Sequence, residues 1–381
     1  MCILMPHVKP EFETSARLKV IGVGGSGQNA VDHMIRAKVR GVDFISVNTD
    51  AQDLHHSLAP KKLHIGRNIT RGLGSGMNPD LGKQAAEESK REIEEILRGA
   101  DLVFVTCGFG GGTGTGAGPA VAEIAKNQGS LTIAIVTRPF SFEGETRRRI
   151  AEEGLVRLRK AVDAMIIIPN DRLVNIIERD TPMLEAFAMC DEVLRQAVQG
   201  IADLIITPGI INVDFADVRT IMQNSGSAII GIGTASGKNR AQEAARMAIN
   251  SPLLEVSAEG AKGVLFTTAG REDLSMWEVQ EAAKIITENV DNDAKIIFGA
   301  VHDERLRRGE IRVTVIASGF PDGFPRSSAL FQGQEAPVAP RPAPQNSAAP
   351  MPPKPPEDNT PGKDNEEEWE IPAFLRRSKK L

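Results

Sequence analysis

The sequence is poor in the features that commonly assign a chain to a class. Cysteine is scarce: Cys2, Cys107 and Cys190 make an odd, widely spaced set. That excludes a disulfide framework and a cysteine-based zinc site, and it fits a reducing cytoplasm. Long hydrophobic runs are absent. LTIAIV (131–136) and AMIIIP (164–169) are far shorter than the ~20 residues of a membrane span, and the opening MCILMPHVKPEF is too short an apolar run for a signal peptide. Basic charge is not in excess. The net charge of −5 offers no overall field to nucleic acid. Tyrosine is missing, aromatics are 4%, and neither a GxxxxGK[ST] loop nor a repeat of solenoid period occurs. His55, His56 and His64 have no cysteine or tight acidic partner and read as a surface turn.

What is present is ordinary globular composition, 41% hydrophobic and 25% charged, with 36 glycines. Residues 1–15 read as a loose leader. From residue 16, apolar runs of strand length alternate with helical patterns: strands at 17–23, 43–50, 101–108, 131–137 and 164–171, helices at 29–39, 80–99, 119–129 and 144–162. Continuous apolar strands between helices predict an α/β fold with a Rossmann-like parallel sheet over 16–182. A long helix over 183–207, about 36 Å at ~1.5 Å per residue, then crosses a domain. A smaller α+β domain over 208–320 follows, with strands at 263–270, 295–303 and 310–319. Residues 321–366 hold 12 of the 23 prolines and predict a disordered linker, which ends in a tail at 367–381.

Glycine carries most of the chemistry. Gly22-Val23-Gly24-Gly25-Ser26-Gly27 satisfies GxGxxG between a strand and a helix, where backbone N–H groups approach a phosphate. A second loop, Gly110-Gly111-Gly112-Thr113-Gly114-Thr115-Gly116, also follows a strand and opens a helix. It can wrap its amides around an anion, with Thr113 and Thr115 as hydroxyl donors and Pro119 in the helix's first turn. A third lies at Gly72–Pro79. A dinucleotide pyrophosphate needs one such loop; three fit a nucleoside triphosphate.

These residues carry a resemblance. GGGTGTG (110–116) is the signature of the tubulin and FtsZ superfamily. IGVGGSGQNAV (21–31), VNTDAQ (47–52), RGLGSGMNP (71–79), RPFSFEG (138–144), PND (169–171) and INVDFADVRTIM (211–222) resemble bacterial FtsZ, continuously over 16–320 and again at IPAFLRR (371–377). The resemblance implies a GTPase that polymerises head to tail, forms the division ring on the inner face of the membrane, and uses GTP/GDP with Mg²⁺ held mainly by the phosphates. It implies nucleotide contacts from Gly25, Ser26 and Asn29, and from Gly76 and Asn78 near the terminal phosphate. Gly111, Gly112, Thr113, Gly114 and Thr115 cradle the phosphates. Glu143 and Arg147 reach the ribose and phosphates, Asn170 the base or ribose side, and Phe187 stacks on the base. Asp191 reads guanine, whose N1–H and N2–H₂ are adjacent donors to one carboxylate. Asn212, Asp214 and Asp217 are the implied catalytic set, supplied to the neighbouring subunit. From spacing alone, Asp214 and Asp217 also fit a capping box, and the two roles are compatible. Ser26, Gln28 and Cys107 depart from the family's small residues; Cys107 reads as a buried small hydrophobe.

The tail has an apolar stripe, Ile371, Phe374 and Leu375, with Pro372 in a first turn and Arg376 beyond, between acidic and basic flanks. Such a motif on a tether docks in a partner's groove. The resemblance implies membrane-anchoring and regulatory division proteins as those partners. A dinucleotide-dependent oxidoreductase, with Asp50 as the ribose-binding acid, is the alternative. It leaves the second loop and the acidic loop unexplained.

Overall fold

The computed structural model describes residues 16–174, 180–207, 209, 211, 213–250, 260–291 and 293–320. The leader, the linker and the tail expectations lie outside them. The apolar runs form β1 (Leu18–Val23), β2 (Val42–Asn48), β3 (Lys61–His64), β4 (Leu102–Gly108), β5 (Leu131–Arg138) and β6 (Ala164–Pro169). Between them lie α1 (Gly24–Arg36), α2 (Ala51–His56), α3 (Arg67–Thr70), α4 (Pro79–Glu88), α5 (Lys90–Leu97), α6 (Thr113–Asn127) and α7 (Glu145–Ala161). Then follow α8 (Asn170–Val174), α9 (Met183–Ile206), α10 (Phe215–Met222), β7 (Gly226–Ser236), α11 (Arg240–Ile249), β8 (Gly263–Gly270), α12 (Met276–Glu288), β9 (Lys295–His302) and β10 (Glu310–Ser318).

All six residues of β1 are buried, as are the first six of β4 and the first seven of β5, because helices cover both faces. Strand alternation sends Val20 and Phe104 to one face, with Met34 of α1 and Val198 and Ile201 of α9. It sends Ile21 and Val105 to the other, with Ile93, Val121 and Leu158 of α5, α6 and α7. The ten strands make one sheet, ordered β3-β2-β1-β4-β5-β6-β7-β10-β8-β9. From β3 to β7 every pair is parallel; β10 runs antiparallel to β7 and β8. The two halves expected from the sequence therefore share a sheet, joined where Ala164, Met165 and Ile166 pair with Gly226, Ser227 and Ala228.

Three differences from the sequence reading have physical causes. The helix expected over 80–99 is α4 and α5, separated at Ser89, whose buried hydroxyl accepts the Gly66 N–H at 3.3 Å. Helices α1 and α6 begin inside the glycine loops, so Pro119 stands well inside α6, not in its first turn. And β7, which the alternation of strands and helices did not reveal, is glycine-rich because α11 lies against it. A Cβ at Gly231 or Gly233 would strike the carbonyl of Ala248 or Ala244.

The early start of α6 rests on the same kind of contact. A Cβ on Gly116 would collide with the Pro79 carbonyl and lie 2.8 Å from the Lys83 amide of α4. Gly→Ala inside a helix ordinarily gains up to ~1 kcal/mol. Here overpacking of ~1–3 kcal/mol outweighs that gain. Gly116→Ala is predicted to lower the urea midpoint, whereas Gly111→Ala, with nothing within 4 Å of its Cβ, leaves it unchanged. Equal midpoints would contradict this reading.

Candidate functional site

Two helix N-termini meet at the carboxyl ends of adjacent strands. Helix α1 follows β1, and α6 follows β4, which pairs with β1. Gly24 has φ +74°, and a Cβ there would lie 3.0 Å from the Gly114 amide, so the first turns of α1 and α6 touch. The first turn of a helix leaves its N–H groups without intrahelical acceptors and carries partial positive charge. In α6 the Gly116 N–H already bonds to the Gly112 carbonyl at 2.9 Å, so the amides of Thr113, Gly114 and Thr115 are those of the first turn. Gly25 and Ser26 hold the equivalent places in α1, with Ser26 and Asn29 exposed.

The third loop closes on the second. Ser75 Oγ is 2.9 Å from Thr113 Oγ1, which is 2.6 Å from Thr49 Oγ1. Thr115 Oγ1 accepts the Gly110 N–H at 3.0 Å and is fully buried. The two threonine hydroxyls expected to face a ligand therefore have protein partners. They shape the loops, and the main-chain amides remain as donors. Asn78 is the N-cap of α4, its Oδ1 accepting from Asp80 N–H at 2.9 Å and Leu81 N–H at 3.4 Å. Gly112 packs under Asn78, while Gly76 and Gly111 face open space. Gln28 does not disturb this site: it is buried, donating to the Asp53 carbonyl at 2.8 Å, and Asn48 Nδ2 donates to Asp53 Oδ2 at 2.8 Å. Burial pushes the Cys107 thiol up to about 12, in keeping with a small hydrophobe.

A second wall comes from β5, β6 and α9. Glu143 accepts the Phe140 N–H at 2.9 Å and the Arg147 guanidinium at 2.6 Å. Phe187, 37% exposed, meets the buried Phe140 edge-on with centroids 5.4 Å apart. Asn170 stands at the carboxyl end of β6. Its Oδ1 is buried and has no hydrogen-bond partner among the described residues, a group that a ligand donor can satisfy. Asp191 is one turn beyond Phe187, on the same side of α9. Burial pushes its carboxyl up to about 6, against the opposing pull of His33 and Arg36 of α1. Beside it, burial raises Glu192 but is outweighed by bonds from Arg195, His33 and Gln196, which bring it to about 2. His33 Nε2 lies 3.0 Å from Glu192 Oε2 and ties α1 to α9. Sequence reasoning missed Thr49, Asp53, Ser75 and His33. Thr49 and Ser75 sit within the quoted motifs, but only the fold brings them to Thr113.

The acidic loop lies elsewhere. Asp214 occupies the N-cap of α10 yet its carboxylate makes no cap bond, so the capping box read from the spacing is not formed. Asp214 and Asp217 are exposed and have no hydrogen-bond or ion-pair partner for their side chains among the described residues; Asn212 is outside those residues. Arg219 of α10 donates to the carbonyls of Asp101 and Gly129, both at 3.4 Å, and these precede β4 and β5. Ile206, at the end of α9, packs on Gly41, which precedes β2. Helix α10 is thus anchored at the amino ends of β4, whose carboxyl end carries the second glycine loop, and of β5, whose carboxyl end leads to Glu143. Strands of seven and eight residues separate the two by roughly 20–25 Å at ~3.3 Å per residue.

Paired helix N-termini at the carboxyl edge of a parallel sheet define a nucleotide-phosphate-binding α/β protein. Residues 17–178 match the Tubulin/FtsZ family GTPase domain, and 226–321 the FtsZ family C-terminal domain. The empty FtsZ dimer of M. jannaschii is 46% identical over 80% of this chain and 89% of its own, with a TM-score of 0.76. CetZ2 from Haloferax volcanii, at 22% identity, 80% and 94% coverage and a TM-score of 0.68, shares the fold. The chain belongs to the FtsZ family and is a GTPase of that family. The oxidoreductase alternative is not favoured; Asp50 Oδ1 is taken up capping α2, accepting Gln52 and Asp53 N–H at 2.9 and 3.1 Å.

Asp191 makes a signed prediction. Its folded-state pKa exceeds the ordinary 3.8, so the folded chain takes up a proton between pH 4 and 6 and loses stability as pH rises through that window. Two units correspond to roughly 2–3 kcal/mol at pH 7. Asp191→Asn in the nucleotide-free protein is predicted to be more stable at pH 7 by up to that amount, and equal to the parent below pH 4. Denaturant unfolding at both pH values checks it; a less stable variant at pH 7 contradicts it.

Proposed function

We propose that GTP binds along the carboxyl edge of the sheet and is hydrolysed only when the acidic loop of a second subunit docks there. The observation that carries this reading is that α10, with the carboxylates of Asp214 and Asp217 unpartnered among the described residues, is anchored at the opposite end of the strands from the glycine loops. A single chain cannot bring the two together, and a head-to-tail contact does. The existence of an FtsZ dimer from M. jannaschii supports association of this kind.

In this reading the phosphates rest on the first-turn amides of α1 and α6, at Gly25, Ser26 and Gly111 to Thr115, with Gly76 and Asn78 at the terminal phosphate. Asn29, Glu143 and Arg147 flank the ribose and phosphates. The base lies on Phe187, with its two adjacent donors on Asp191, and the orphaned Asn170 Oδ1 gains a ligand partner. No group of three or more His, Cys, Asp or Glu side chains suited to a metal occurs among the described residues. In this reading Mg²⁺ is held mainly by the phosphates, where it offsets their charge. Asn212, Asp214 and Asp217 of the incoming subunit orient the attacking water, with a carboxylate positioned to accept its proton. The assembly works at the division site on the inner face of the membrane. Partners bind the tail through Ile371, Pro372, Phe374, Leu375 and Arg376; no helix among the described residues is long and apolar enough to cross a membrane.

Phosphate release from GTP and 90° light scattering, followed together against protein concentration with Mg²⁺, test this reading. Both signals are expected above one shared threshold, and Asp214→Ala is expected to keep scattering while cutting release at least 100-fold. Release that is linear from zero protein, without scattering, overturns it.

A further inference from the structure

A second concavity lies away from the nucleotide loops. A cleft of about 610 Å³ runs along the outer face of α6, walled by α4 and α5 on one side and α7 on the other. That volume is in the range of small-molecule sites, ~300–1,000 Å³. Its floor is Gly116, Pro119, Ala120 and Ile124, on one face of α6 at i, i+3, i+4 and i+8. The floor is low because its side chains are small and because Gly116 must lack one to meet Pro79.

The rim is basic. Five cationic side chains and two acidic ones line the cleft, in a chain whose net charge is −5. Several of the cations are engaged: Lys83 lies 3.6 Å from Glu87, Lys90 lies 3.9 Å from Glu94, and Lys126 is turned onto the Val162 carbonyl, Asn224 and Asp163. Arg157 and Lys160, one turn apart on α7, have no side-chain hydrogen bond or ion pair among the described residues. Arg157 and Lys160, set against Glu123, the one lining carboxylate unpaired among the described residues, leave the cleft net positive beside an apolar floor, which complements a ligand with both characters.

We propose that this cleft is a second ligand site, taking a small amphipathic anion: a compact apolar body on the α6 floor and a carboxylate, sulfonate or phosphate between Arg157 and Lys160. The site begins at Gly116, one turn after Gly112 of the phosphate loop, and is independent of how the nucleotide is read.

The probe is 8-anilinonaphthalene-1-sulfonate, titrated by fluorescence into the full chain with saturating GDP to keep the nucleotide site filled. One saturable site is expected, with Kd on the order of tens of micromolar. Arg157→Glu with Lys160→Glu is expected to raise that Kd at least tenfold, and Ala120→Trp, which fills the floor, to do the same. The uncharged N-phenyl-1-naphthylamine should bind at least tenfold more weakly. All variants are checked by urea unfolding, since Arg157 and Lys160 are exposed while Ala120 is half-buried against the core. The proposal is overturned if the folded variants bind the probe as the parent does, or if the uncharged probe binds equally.

Discussion

Backbone lying directly on backbone is the constraint on which this structure depends. At Gly24, Gly112 and Gly116 a single added carbon would meet the main chain of a neighbouring loop or helix. These contacts bring the starts of α1, α4 and α6 together at one edge of the sheet. The N-termini of α1 and α6 in one place concentrate unbonded N–H groups and positive partial charge, which an anion can satisfy together, while α4 is already capped by Asn78. Packing and ligand chemistry are therefore one property of the glycines. A glycine such as Gly111, with open space around it, leaves its amide accessible, while Gly116 one turn on serves the helix contact.

Helix α9 sets the other dimension. Its 24 residues span about 36 Å at ~1.5 Å per residue, with Phe187 against Phe140 and Asp191 near His33 and Arg36 of α1 in its first half, and Ile206 against Gly41 at the amino edge. Its buried face, Leu194, Ala197, Val198, Ile201 and Ala202, fixes it to the sheet as a rigid spacer. The acidic loop follows directly, so the spacer determines that one chain presents its phosphate loops and its carboxylates in opposite directions. Near the spacer's start, burial holds the Asp191 carboxyl at about 6, a destabilised anion that two ligand N–H groups would relieve.

Much of this was legible in the chain. The buried strands were readable because apolar runs such as LTIAIV have no polar face to hide, and α9 because its period of 3.6 persists for 24 residues. The loops were readable because glycine is informative at strand–helix junctions. What was not legible depended on partners far away in sequence. Nothing local marks β7 as a strand, since its glycines answer to α11. Thr113 and Thr115 read as ligand donors from their place beside a phosphate loop; that Thr49, Ser75 and Gly110 also bond to their hydroxyls comes from folding. Spacing also matched Asp214 and Asp217 to a capping box. The carboxylates instead stand clear of the helix.

The central claim is that one active site is built from two subunits, and mixing two inactive variants tests it most directly. Asp214→Ala removes a carboxylate and spares the phosphate loops. Gly111→Asp places a negative charge in the open space of the phosphate loop and spares the acidic loop. Each alone is predicted to release no phosphate from GTP. Mixed in equal amounts, they should recover about one quarter of the parent rate, the share of random head-to-tail contacts that pair two intact halves. A mixture as silent as its components would contradict the account.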